Sequence, residues 1–540
     1  MMDEGEIWRK YCSFFEKPFS EQVAYSEERV KRHFEKWKKT KTAKYLMMKY
    51  GREFERFEDI PLTTYEDYPI LREFGSKIEA MMAKKPRKRG ERLFAYYSGL
   101  FAELKPIIDE WMIDEFGYAA KTSGTTGEPK WIIHGVTSMR DYEENCVTIG
   151  ALICSENWGE TKVREGETGL QLAAPIPYIS GWGLLLGSKY FNVVPSVETA
   201  EEVTDMGRRM WIILKEIERG KRPVFAAGAT SFFQLVCRYL KNKPEIFREY
   251  YSSLNAGFAK AYMLFKWLSS YFGKKHEKLT DLLPLKGIGV AGVNIEPYKD
   301  FFVQEFGIEP TNIYGSTEFP VIMCGPPDRK ECLIPNLRSG YYEFIDERGN
   351  LRRIDELKKG ETYELVGTSI ESILIRYRIR DLLSVVDFRD DGMPYFIFKS
   401  RVEEVLDFYG YFRLTERIFS RALREAGLKY FEKWAITKMF SGEGEYLYVA
   451  MEKPWEHSEE ETARIIFEVL LKTFPDFQNY VRDFSVKNPT EIIKVKYLRK
   501  GAFLQYSVKM AKEGAEIGQI KPPKIVSAER KRVLDLLESI

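Results

Sequence analysis

Four histidines in 540 residues, His33, His134, His276 and His457, stand too far apart to build a histidine-rich zinc site. The six cysteines, Cys12, Cys146, Cys154, Cys237, Cys324 and Cys332, follow no regular spacing and include no Cys-x-x-Cys. That pattern argues against a disulfide framework and predicts free thiols in a reducing compartment. No stretch approaches the ~18 to 20 apolar residues that a membrane-spanning helix needs. Neither sign of charge dominates, with 83 Lys and Arg against 81 Asp and Glu, so nothing draws the chain globally to nucleic acid. Met1 to Lys10 carries charges and no apolar stretch, so no signal peptide is expected and a cytoplasmic location is. Internal repeats and low-complexity linkers are absent too.

What remains is a chain too long for one compact core, so two or more domains are expected. Its 44% hydrophobic and 30% charged content is that of a globular protein. Residues 1–95 read as a helical, charged lead-in. Val30 to Lys44 spaces Phe34 and Trp37 for one face, which predicts an amphipathic helix, solvated or, less simply, membrane-bound. Lys84 to Arg92 is basic and holds Pro86 and Gly90, as a loop would; it is a solvated charge run or a site that attracts phosphates.

From about 115 to 395, short apolar runs alternate with helical patterns. Gly169 to Ala174, Pro223 to Ala227 and Leu285 to Ala291 are examples. The alternation predicts an α/β fold of parallel or mixed sheets covered by helices. After about 400 the pattern changes to a small α+β unit. It predicts a helix at 415–426, strands at 434–440 and 445–451, and a helix at 459–474 opened by Ser458 and Glu461 as a capping box. A strand at 492–498 and a helix at 502–513 follow. The expected division is 1–399 and 400–540, joined by a short hinge.

The most informative segment is Thr122-Ser123-Gly124-Thr125-Thr126-Gly127-Glu128-Pro129-Lys130. Glycines let the backbone turn tightly and approach a ligand closely. Bare amides and hydroxyls can wrap phosphate oxygens, and Lys130 adds positive charge. The spacing is not the Walker pattern. An ordinary Gly/Thr turn is the plain alternative. Further on, Ile313-Tyr314-Gly315-Ser316-Thr317-Glu318 offers a flat aromatic face, a hydroxyl and a hard carboxylate ligand. Gly287 to Gly292 reads as a short strand ending in a turn. Asp381 closes Arg376-Tyr377-Arg378-Ile379-Arg380-Asp381, either as an acceptor for two donors or as a salt-bridged acid among arginines.

In this order the segments resemble the motifs of the adenylate-forming (ANL) superfamily, whose members join a carboxylic acid to AMP and pass the acyl group on. The resemblance implies that Ser123, Gly124, Thr125, Thr126, Gly127 and Lys130 hold the β- and γ-phosphates of ATP. It implies that Tyr314 stacks on adenine, with the Ala291-Gly292 turn against the same base and Gly315 beside it. Thr317 would meet the α-phosphate, Glu318 would help hold Mg²⁺, and Asp381 would accept both ribose hydroxyls. Pro175 to Gly183 resembles the acid-pocket segment, which brings in Tyr178, Trp182 and Gly183; as plain core aromatics Tyr178 and Trp182 need no such role. Ser400-Arg401-Val402-Glu403-Glu404 with Gly410 resembles the hinge of phenylacetate-CoA ligases, with Ser400 in place of the usual glycine.

A narrower resemblance is to the auxin-responsive acyl acid-amido synthetases, which transfer the activated acid to an amino-acid amine. It rests on Pro61 to Tyr68, on Gly360 to Val366, and on Gly501-Ala502-Phe503, Gly514-Ala515 and Gln519-Ile520-Lys521-Pro522-Pro523-Lys524. The chain departs from that family in its more generic phosphate loop and in Arg380, where glycine is usual. Two lysines answer to the catalytic lysine of the small domain. Lys521 fits the amido-synthetase signature, and Lys494, after Pro489-Thr490, resembles the acyl-CoA-ligase motif. The reading is an ATP- and Mg²⁺-dependent ligase for a small carboxylic acid. The acceptor is an amino acid or, alternatively, CoA; a catalytically silent nucleotide-binding scaffold is the remote alternative. The acid and the oligomeric state are not legible in the residues.

Overall fold

The computed structural model describes residues 1–122, 130–171, 173–203, 206–229, 279–281, 283–291, 298–370, 372–402, 405–408, 412–428, 433–441, 444–483, 488–512, 522–526 and 531–539, with Phe233, Val236, Cys237, Ala261, Leu264, Ile295 and Val486. Helices Phe19–Trp37, Lys41–Tyr50, Pro69–Lys84 and Leu93–Ile108 form most of the lead-in. The single helix expected from Val30 to Lys44 is in fact two. The first ends at Trp37, and Thr40 caps the second by accepting a hydrogen bond from the Ala43 amide. Phe34 and Trp37 are buried and pack with Leu46, Phe54 and Ile375, so this amphipathic face is core. No described helix is long and apolar enough to cross a membrane.

Strands β1 (Phe116–Lys121) and β2 (Trp131–Gly135) form an antiparallel hairpin. The central sheet contains β3 (Thr168–Gln171), β4 (Asn192–Val194), β5 (Phe225–Gly228), β6 (Gly287–Ala291), β7 (Thr311–Tyr314), β8 (Met323–Cys324) and β9 (Ile334–Pro335). Its order is β4-β3-β5-β6-β7-β8-β9, parallel through β7 and antiparallel beyond. The parallel strands are short, apolar runs, the signature of a sheet covered on its faces.

A second, antiparallel sheet follows: β10 (Gly340–Ile345), β11 (Leu351–Arg353), β12 (Thr362–Ser369), β13 (Tyr377–Phe388) and β14 (Pro394–Arg401), in the order β11-β10-β12-β13-β14. Beyond it lie the ribbon β15 (Val405–Phe408) and β16 (Phe412–Thr415), then a sheet of β17 (Trp434–Ser441), β18 (Gly444–Glu452), β19 (Ile493–Leu498) and β20 (Ile525–Val526). That sheet runs β19-β18-β17-β20 and carries helices Glu416–Glu425, Glu459–Thr473, Ala502–Lys512 and Lys531–Ser539. The Ser458–Glu461 capping box forms as its spacing predicts.

Apolar packing separates along the chain. The largest cluster draws on residues between Ile7 and Phe396. Two others use only residues from Leu406 to Leu537. All six cysteines are free thiols. Burial raises the five thiols Cys12, Cys146, Cys154, Cys324 and Cys332, so none of these is poised as a nucleophile.

Candidate active site

The site lies at the carboxyl ends of the parallel strands β6 and β7, where ligands bind in open α/β sheets. Strand β7 ends at Tyr314, and the chain turns through Gly315 to Glu318. The Ser316 amide donates to the Phe319 carbonyl at 2.8 Å, and the Ser316 hydroxyl accepts from the Phe319 amide at 3.1 Å. Any side chain at position 315 would overlap the Pro320 carbonyl, so the turn requires glycine. Ala291, at the end of β6, lies in register with Ile313. Gly292 lies outside the described residues.

Tyr314 and Asp381, 67 positions apart in sequence, meet directly. The Tyr314 hydroxyl donates to Asp381 Oδ2 at 2.7 Å. Asp381 is 6% exposed and is held in register with Arg401 across β13 and β14. The Arg401 side chain and that of Ser400 are not described. Two of the nearby arginines take other acids as partners. Arg376 makes a bidentate pair with Glu343, at 2.9 and 2.8 Å, and Arg378 one with Glu364, at 2.8 and 2.7 Å. The Tyr314 hydroxyl is thus one partner of the acid. Arg380 has φ +65°, a left-handed conformation that glycine adopts with less strain.

Glu318 is half-buried, and Tyr377 holds its hydroxyl 3.5 Å from Glu318 Oε1. Burial raises the Tyr377 phenol, and the Glu318 charge raises it further, so Tyr377 is a neutral donor. The early segment is zipped onto the same strand. The Thr63 amide donates to the Arg376 carbonyl at 2.8 Å, and the Arg378 amide donates to the Thr63 carbonyl at 2.9 Å. Tyr65, two residues on, lies under Lys130, whose Nζ is 4.9 Å from the ring centroid. Pro61 to Tyr68 and the Tyr-Arg-x-x-Asp segment, far apart in sequence, therefore share one wall.

Of the phosphate loop, Ser123, Gly124, Thr125, Thr126 and Gly127 lie outside the described residues. Its two ends are described and are tied together. The Thr122 amide donates to the Lys130 carbonyl, and the Lys130 amide donates to Thr122 Oγ1, both at 2.8 Å. The closure continues the β1–β2 ladder and leaves Lys130 exposed at the loop's exit.

Among the acid-pocket residues, Tyr178 is half-buried and bridges to Lys121, whose amide donates to the Pro177 carbonyl at 3.0 Å. Gly183 is half-buried, and the Tyr142 hydroxyl fills the space a side chain there would need. Trp182 is only 2% exposed. Its indole N–H donates to the Ala119 carbonyl at 3.0 Å, and its ring packs against Tyr118 and Phe101. In this conformation Trp182 is core and offers no open face to a substrate.

Lys494, on β19, is exposed, with Nζ 4.1 Å above the Tyr446 ring. Lys521 lies outside the described residues. Lys524, in the same signature, packs on Trp434 and Phe503.

One residue of the site had no motif to reveal it. His134, on β2, places Nε2 2.9 Å from the Thr317 carbonyl oxygen and stacks on Tyr118 at 4.6 Å between centroids. Sequence reasoning weighed histidines only as metal ligands, and a single polar residue in a buried strand carries no periodic signal. Burial pushes its imidazole from 6.5 down to about 4, and that of the equally buried His33 down to about 3. Both folded values lie below the unfolded one. As pH falls through 6.5 the unfolded chain takes up protons that the folded chain refuses. Stability is therefore full above pH 6.5 and declines toward pH 4, by on the order of 3 kcal/mol for His134 alone. Thermal unfolding midpoints measured from pH 7.5 to 4.5 should show this fall, and His134→Gln should flatten it. An equal fall in parent and variant would mean that other groups carry it.

The architecture is shared with solved ligases of two kinds. Residues 333–401, which contain the whole antiparallel sheet β10–β14, match the GH3 family central domain. Over nearly all its length the chain is similar to AtGH3.15 acyl acid amido synthetase, solved in complex with 2,4-DB. The TM-score is 0.65 at 18% identity, covering 96% of this chain and 93% of that one. It is similar also to 2-hydroxyisobutyryl-CoA ligase in the postadenylation state, solved with R3-HIB-AMP. There the TM-score is 0.57 at 15% identity, covering 97% and 93%. At these identities the likeness establishes the fold. No curated protein matches the chain in sequence.

Proposed function

We propose that the chain activates a small carboxylic acid with ATP and transfers the acyl group to an amine, as an acyl acid-amido synthetase. The observation that carries the reading is the meeting of Tyr314 with Asp381 at the end of β7, with Thr317, Glu318 and Lys130 on adjoining segments. The buried Asp381 carboxylate is an acceptor for ribose hydroxyls, and Tyr314 gives up its hydrogen bond when they arrive. On this reading Lys130 and residues Ser123 to Gly127 hold the β- and γ-phosphates, and Thr317 meets the α-phosphate. Glu318 makes no ion pair among the described residues, which leaves a hard oxygen ligand open and fits Mg²⁺. The metal supplies neutralisation of phosphate charge during displacement. A substrate carboxylate oxygen then bonds to the α-phosphorus, the bond to the bridging oxygen breaks, and pyrophosphate leaves. In the second step the acceptor's nitrogen attacks the acyl carbonyl, AMP departs and the nitrogen loses its proton. The protein contributes position and fixed charge to both. Tyr178 and Gly183 line the acid pocket, with Trp182 as its backing.

The division into a large unit of 1–399 and a lid of 400–540, turning near Ser400 and Arg401, is part of the same reading. It is supported by apolar clusters that share no residue across that point. CoA as acceptor is the second reading, favoured by the generic phosphate loop. Pyrophosphate release over a panel of carboxylic acids, with and without amino acids or CoA and with products weighed by mass spectrometry, tests the whole. Amide products support the first reading and thioesters the second; no pyrophosphate with any acid would reject both.

Asp381→Asn keeps the size of the side chain and should weaken ATP binding about tenfold to a hundredfold, because a charge-assisted hydrogen bond contributes about 1.5 to 3 kcal/mol. Unchanged affinity in a calorimetric titration would remove Asp381 from the nucleotide site.

A further inference from the structure

The β1–β2 hairpin does more than present the phosphate loop. His134 sits directly opposite Tyr118 in the ladder, and the two rings are parallel to within 13°. The imidazole is 1% exposed, so its orientation is set by packing. Its Nε2 faces the Thr317 carbonyl at 2.9 Å, across 183 positions of sequence. A carbonyl oxygen only accepts, so Nε2 must carry the proton. Nδ1 is then the acceptor, and the Ser138 hydroxyl stands 3.5 Å from it. Burial keeps the ring neutral, as that tautomer requires.

A histidine that merely filled the core could satisfy its N–H with any carbonyl nearby. Here the carbonyl belongs to the turn that, on the adenylation reading, faces the α-phosphate. The other end of the same short strand joins Lys130, whose backbone closes the phosphate loop. One rigid hairpin thus touches both parts of the triphosphate site.

We propose that His134 is a positioning residue that locks the Thr317–Glu318 turn to the hairpin bearing Lys130, so that both reach one phosphate chain in fixed relation. This rests on the adenylation reading. A site built from two loops needs such a fixed connection, because small errors in placement reduce rates steeply.

The test compares His134→Ala and His134→Gln with the parent. Gln can present an amide N–H at about the reach of imidazole Nε2; Ala cannot. With both variants folded by circular dichroism, His134→Ala should lower kcat for acyl-AMP formation about tenfold to a hundredfold, with KM for ATP changed less. His134→Gln should recover most of the rate. Parent-like kcat in the alanine variant overturns the proposal, and so does equal loss in both variants, which would mean that the ring acts only by packing. A second measurement keeps the two ideas separate. Binding of a non-hydrolysable ATP analogue with Mg²⁺ should weaken severalfold in His134→Ala and stay near the parent in His134→Gln. If the parent activates no acid, the adenylation reading falls, while this binding difference still decides the coupling; equal binding by all three proteins rejects it. Should the alanine variant not fold, ¹⁵N imidazole spectra of the parent decide instead. A proton on Nε2 supports the clamp, and a proton on Nδ1 alone overturns it.

Discussion

Lys521→Ala is expected to reduce acyl-AMP formation by about a hundredfold or more while ATP affinity changes little. A positive charge that meets the phosphate only as its bond rearranges stabilises the transition state and not the bound substrate. Removing one such group typically lowers turnover by about 10² to 10³. The control is Lys494→Ala. Lys494 is exposed and stacked on Tyr446, a contact that loss of the ammonium would barely disturb. Lys524 is the third lysine to consider, but its ammonium lies over the Trp434 and Phe503 rings. Single-turnover measurement of acyl-AMP with each variant separates them. If Lys494→Ala abolishes adenylation and Lys521→Ala does not, the acyl-CoA-ligase alignment of the C-terminal region is the better one, and CoA gains as acceptor. If neither matters, the expectation that a lysine from residues 400–540 acts in adenylation falls.

Glu343→Ala should destabilise the fold by about 3 to 5 kcal/mol, the usual consequence of leaving one buried charge unpaired. Both partners of the Arg376–Glu343 pair are 6% exposed. Arg376 Nη1 also donates to the Glu58 and Ile60 carbonyls, so this guanidinium joins the lead-in to the antiparallel sheet. Arg376 cannot escape by losing its proton, because arginine stays charged in proteins. Its φ of +46° adds backbone strain that the paired structure must hold in place. Urea unfolding followed by tryptophan fluorescence gives the measurement. The double variant Glu343→Leu, Arg376→Met should lose less than the single one, because no lone charge remains buried. A loss below about 1 kcal/mol in the single variant would mean that water or rearrangement relieves the arginine.

The antiparallel sheet also explains where sequence reading stopped. In the motif Arg376 to Asp381, four charged side chains within six residues invited the idea of local salt bridges. Strand geometry decides otherwise. Successive side chains alternate between faces, so Arg376 and Arg378 meet acids on other strands of the sheet and not the aspartate of their own segment. Arg378 reaches Glu364 on β12, and Arg376, just before β13, reaches Glu343 on β10. Asp381 is released from both.

Local chemistry was enough wherever the cause was local. The capping box at Ser458, the strands β17 and β18, the helix of 502–512 and the short strands of the central sheet could all be read from caps, turn residues and periodicity. The candidate nucleotide residues could be proposed from local sequence as well, because the 122–130 segment and the Tyr-Gly-x-Thr-Glu turn are each contiguous. Only the tertiary structure decided which residues face them. Tyr314 finds Asp381 across 67 positions, and His134 finds Thr317 across 183. Trp182 turns into the core because Ala119 offers its indole a carbonyl there. Those pairings depend on strand order and on which side of a sheet a residue meets, and residue type and spacing in one chain carry neither.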